Sequence, residues 1–93
     1  MDFAQAKALK SDLEASVALA EVIHKATVQS QAKRLGIPAS GPTGLTPDEI
    51  KFHPHVRAAK RSYDRDFIQL RKFNAAFLKA YKADLAAERK AQK

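Results

Sequence analysis

Apolar positions recur every three or four residues along two long stretches of the chain, which predicts two amphipathic helices. The first runs over residues 2–35, rich in Ala, Leu, Lys, Glu and Gln and free of Pro and Gly. Leu9, Leu13, Val17, Ala20, Val28 and Leu35 share one face. Ala8, Ala15, Leu19, Val22 and Ala26 form a second apolar face, and Lys7, Glu14, Glu21 and Lys25 a solvated strip between the two. Asp2 followed by Gln5 reads as a capping box. At the other end Lys33 and Arg34 suit the negative pole of the helix dipole, and Gly36 and then Pro38 stop the helix.

The second long helix is expected over residues 54–91 and divides into three stripes. Val56, Ala59, Tyr63, Phe67, Leu70, Phe73, Asn74, Phe77, Tyr81 and Leu85 form a large, mostly apolar face. Ala58, Ser62, Gln69, Ala76, Ala80, Ala83 and Ala87 form a stripe of small residues. The third stripe is basic: from Arg57 to Lys93 all eleven Lys and Arg of this stretch fall in an arc of about 140° at 100° per residue, with Asp64 the only acid among them.

Between the helices, residues 36–46 read GIPASGPTGLT. Three Gly and two Pro in eleven residues rule out a helix and argue against a strand. Ile37 and Leu45 are expected to pin the two ends of this loop to the core, which makes it a connector; a partner-binding loop is the functional alternative. Thr46-Pro47-Asp48-Glu49 is a strong helix start, with Thr46 as N-cap, Pro47 in the first turn and Glu49 closing a capping box, so a short helix is expected at 47–52. Pro54 disfavours the α conformation at His53, so the chain breaks there and restarts; a single kinked helix from 47 onward is the alternative.

The fold class that follows is all-α, a hairpin of two long antiparallel helices with a short helical turn in the connection. A hairpin buries one stripe per helix, yet each helix here carries two. The spare stripes predict a homodimeric four-helix bundle whose interface is Ala58, Ser62, Gln69, Ala76, Ala80 and Ala83 with Leu19, Val22 and Ala26. The competing reading is that alanine is simply a good helix former on a wet surface. Asp66, at the edge of the large apolar face, is expected either at a solvated seam or paired with Lys33, Arg34 or a second chain.

Charge changes this picture more than composition does. The chain of 93 residues carries 17 Lys and Arg against 10 Asp and Glu, net +7. Residues 1–35 are net +1 and residues 36–53 net −1, so the excess sits on residues 54–93. A cationic helix of this kind favours nucleic acid, an anionic membrane surface or an acidic protein. There is no cysteine, which removes disulfides and thiol chemistry. No apolar run approaches the ~20 residues of a membrane span, and the start lacks the pattern of a signal peptide. A cytoplasmic location is expected.

Candidate chemistry is sparse. His53 and His55 flank Pro54, but two imidazoles do not complete a metal site, and His24 falls on the core stripe. No serine sits in a nucleophile motif, Asp64 and Asp66 point to different faces, and the glycines of the loop lack the Lys-Ser/Thr ending of a phosphate loop. The reading is therefore a small, basic, non-enzymatic binding protein without cofactor or metal. Its expected contact is a nucleic acid, through Arg57, Arg61, Arg65, Arg71, Lys72, Lys79 and Lys82. Against that, the aromatics lie on the core stripe and none interleaves with the cations as a base-stacking platform. A regulator or inhibitor docking on an acidic protein surface, of the small helical type that phages and plasmids carry, is the alternative; a structural bundle subunit is the third.

Overall fold

The computed structural model describes residues 1–40 and 44–92. These form four helices, α1 Phe3–Leu35, α2 Asp48–Lys51, α3 Pro54–Ala80 and α4 Lys82–Ala91, with no strand among the described residues. The long helices α1 and α3 lie antiparallel as a hairpin. At its open end Phe3 stacks on Phe77, with ring centroids 6.0 Å apart. At its closed end Ala32 meets Val56.

The ends of α1 form as the sequence predicts. The Gln5 N–H donates to Asp2 Oδ1 at 2.8 Å, and the Asp2 N–H donates to Gln5 Oε1 at 3.0 Å, a complete capping box. Gly36 adopts φ 69°, ψ 28°, the left-handed conformation that costs glycine least, and its N–H returns to the last turn of α1.

The connection differs in detail. Ile37 packs against the core as expected, but Leu45 is exposed; Ala39 and above all the fully buried Ile50 take its place. Gly41, Pro42 and Thr43 of the expected loop lie outside the described residues. The N-cap of α2 is Pro47, not Thr46, and no side-chain cap bond forms, so the Thr46–Glu49 capping box is absent. Pro47 instead accepts the Ile50 and Lys51 N–H groups through its carbonyl. The chain does break before Pro54. His53 caps α3 by accepting the His55 N–H on Nδ1 at 3.3 Å, and Pro54 occupies the first turn where its missing N–H costs nothing.

The single helix expected over 54–91 is interrupted at Tyr81, whose φ −118°, ψ 28° lies outside the helical region. Tyr81 still donates to Phe77 and accepts from Leu85, so the chain bends without losing direction. Its hydroxyl donates to the Met1 carbonyl at 2.6 Å, and Glu88 pairs with Lys7 at 2.6 Å, which holds α4 beside the start of α1.

The core between the helices is thin. Among the described residues only Ala6, Ala20, Ala32, Ile50, Val56 and Phe77 are buried apolar side chains. Leu9, Leu13, Val17 and Val28 of the predicted core stripe are half-buried, while Leu35 and Phe67, expected inside, are exposed. The Cα atoms span 54 × 26 × 16 Å, so the hairpin is a layer two helices wide and about one helix thick. Both faces of that layer meet solvent.

Candidate functional site

The predicted basic ridge is present on α3 and α4. Arg57, Arg61, Arg71, Lys72, Lys79 and Lys82 are all exposed, and among the described residues none makes an ion pair. Lys33, Arg34, Lys51, Arg89 and Lys90 are likewise exposed without an ion pair among the described residues, whereas the other three lysines of α1 are paired. Lys7 pairs with Glu88, Lys10 with Glu14 at 3.5 Å and Lys25 with Glu21 at 3.0 Å. On α3 itself Lys60 pairs with Asp64 at 2.7 Å, one turn on, and leans over the Tyr63 ring. Arg65 is exposed and contacts its neighbour Asp66 at 3.7 Å. Arg71 lies over the Phe67 ring at 6.0 Å, so its guanidinium is positioned by an aromatic face and still open to an anion. What remains is a line through Arg57, Arg61, Lys72 and Lys79 on one side of α3. It runs 22 residues, or about 33 Å at the helical rise.

The ridge is not purely polar. Ile68 and Leu78 are exposed within the same arc, and neither continues the core stripe. Their spacing from Arg61, Lys72 and Lys79 carried the signal: position 68 lies seven residues after 61 and four before 72.

The predicted interface residues are distributed more unevenly. Leu19, Ala26, Ala58 and Ser62 come together and line one open groove between α1 and α3. Ile23, half exposed, joins them, though it fell on neither apolar stripe; it sits one turn after Leu19 and three residues before Ala26, which was a usable signal. Val22, Gln69, Ala76, Ala80 and Ala83 are exposed outside the lining of that groove. Two polar groups are notable in it. Asp66 lines it, and among the described residues its ion-pair contact is Arg65 and not Lys33 or Arg34. Gln31 is buried, and among the described residues its Oε1 has no hydrogen-bond partner.

His53 and His55 stack with centroids 5.2 Å apart, but among the described residues no group of three His, Asp or Glu side chains converges as metal ligands would. His24 is half-buried, in a second groove beside the start of α3. No described helix is long and apolar enough to cross a membrane.

Chemically, the site offers fixed positive charge, exposed aliphatic side chains and two open grooves, the means of binding an anion or an acidic surface. No protein-family model matches the chain, and neither curated proteins nor solved structures yield a match.

Proposed function

We propose that the protein is a small, non-enzymatic nucleic-acid-binding regulator of the cytoplasm, acting as a homodimer, with the α3–α4 ridge as its phosphate contact. The observation that carries this reading is the contrast in pairing. Lys7, Lys10 and Lys25 of α1 pair with acids one turn or one helix away, whereas Arg57, Arg61, Lys72 and Lys79 follow one another along about 33 Å of α3 with no ion pair among the described residues, the one acid of their arc, Asp64, being held by Lys60. Charge kept only for solubility tends to mix signs; an unpaired row of one sign matches a row of phosphates. A span of about 33 Å corresponds to roughly ten base pairs at 3.4 Å per step. Because the ridge carries no base-reading motif, contact is to the backbone and the binding is weakly sequence-dependent.

The homodimer is supported by the thinness of the hairpin. The groove of Leu19, Ile23, Ala26, Ala58 and Ser62 lies on one face of a layer that has nothing packed on it, and small side chains allow a second helix pair to approach closely.

Titration against a labelled DNA duplex and a single-stranded RNA, over a series of salt concentrations, tests the ridge. For the duplex, four to five phosphate contacts give a slope of log K against log salt of about −4. Changing Arg61, Lys72 and Lys79 together to Glu is expected to abolish the binding and leave the helical circular dichroism intact, because all three face solvent. Absence of binding to either nucleic acid at low salt sinks the reading.

A further inference from the structure

The second groove points to a protein partner. It shares no lining residue with the groove of small residues and measures about 840 Å³. Val28 and Val56 lie at its base, where they pack with the fully buried Ile50. Leu45 and Phe52, 73% and 58% exposed, stand at its edge. Its charged lining is one-sided: Lys51, Arg57 and Arg61, with Lys60 held by Asp64, against the acid Asp48.

We infer that this groove is a docking site for an acidic amphipathic helix of another protein, with bulky apolar side chains one turn apart entering between α1 and α3. The charge complementarity fixes the sign of the partner. The aliphatic base fixes the kind of anchor, since Val28, Val56 and Leu45 give contact area to a Leu or Phe side chain and no flat surface to a nucleobase. Phe52 and the half-buried His24 are the flat side chains of the lining, and the Lys51 ammonium already sits over the Phe52 ring, 5.7 Å from the centroid. The pairs His24 and Val28 on α1, and Val56 and Lys60 on α3, are each one turn apart, about 6 Å. That spacing receives anchors at i and i+4 of a helix laid in the groove. The contact is small, so the binding is transient and salt-sensitive.

Arg57 and Arg61 belong both to this groove and to the ridge, so an acidic helix seated here competes with nucleic acid for the first turns of α3. The docking itself does not depend on the nucleic-acid reading, and the test separates the two by changing only Leu45 and Phe52.

The full-length protein is used to select binders from a display library of random peptides. The expected consensus carries Asp or Glu on one face and Leu or Phe at i and i+4. A labelled consensus peptide is then measured against the wild type and the double variant Leu45→Ala, Phe52→Ala, which removes the apolar contact and leaves the charge unchanged. Both side chains are more than half exposed, so the variant folds, which circular dichroism checks. At least a tenfold loss of peptide affinity is expected. Duplex binding by the ridge, where present, should change by less than twofold to threefold.

Three results overturn the proposal. One is a selection that enriches nothing, or enriches sequences without acids. The second is a consensus peptide whose affinity the double variant leaves unchanged. The third is a single-stranded oligonucleotide that loses affinity with the double variant while the peptide does not, which makes nucleic acid the occupant.

Discussion

Ile50 shows how much can rest on one side chain in a layer this thin. It has no solvent exposure and joins the ends of both long helices through Ala32 and Val56, with Val28, Ile37 and Ala39 around it. Replacing it by Ala leaves a cavity at the point where the connection is tied down, at a cost of about 2–5 kcal/mol. For a single domain of this size that is a large part of the total stability. Ile50→Ala is therefore expected to lower the urea midpoint sharply, while truncation of the exposed Leu45 to Ala moves it little; equal shifts for the two would show that Leu45 does anchor the loop. The sequence favoured Leu45 because it ends the loop, and its side chain is indeed apolar. The choice between Leu45 and Ile50 depends on which way α2 is turned, and a helix of four residues has too little periodicity to tell. Thr46 failed for a related reason. Its capping signature is real as a pattern, but the chain enters α2 through Pro47, and Thr46 lies one residue too early to reach the helix's free N–H groups.

At the scale of elements the long helices were legible and their interruptions were not. Asp2, Gln5 and Gly36 are local devices whose effect needs only their immediate neighbours, and each appears where the pattern placed it. The break at Pro54 is likewise local, because the proline ring acts on the residue before it. The bend at Tyr81 has no such marker. Phe77, Tyr81 and Leu85 continue the apolar stripe without fault, and the neighbouring residues Ala80 and Lys82 are good helix formers. What holds the bend lies far away in sequence: Tyr81 packs on Phe3 with centroids 5.6 Å apart and reaches the Met1 carbonyl. The basic ridge was legible for the same reason as the helices, since an unbroken charge stripe is a property of one element. Within it Arg65 stays exposed and also contacts its own neighbour Asp66, a pairing between adjacent residues that a helical wheel does not show.

The whole molecule is extended for its mass. Its radius of gyration is 18.3 Å, where a compact chain of this length has about 12 Å. Its accessible surface is 7117 Å², against about 5,400 Å² for a compact monomer of 10.3 kDa. The excess is about twice the ~800 Å² that each partner gives to a standard interface, which agrees with a molecule that has a face to cover. Sedimentation at tens of micromolar is expected to give twice the chain mass, and Leu19→Glu with Ile23→Glu to give a helical monomer with a lower melting temperature. A wild-type monomer at that concentration rejects the dimer. The position of Ile50 has a further consequence, for the order of events during folding. The contacts of Ile50 with Ala32 and Val56 close chain segments of 18 and 6 residues, whereas Phe3 and Phe77 are separated by 74. Loop closure makes the distant pair costlier by about 1 kcal/mol relative to the Ala32 contact, so the hairpin zips from its turn toward its termini. Stopped-flow measurements should then find Ile50→Ala slowing refolding and Phe77→Ala mainly hastening unfolding. One end of the molecule governs how fast it forms, and the other how long it lasts.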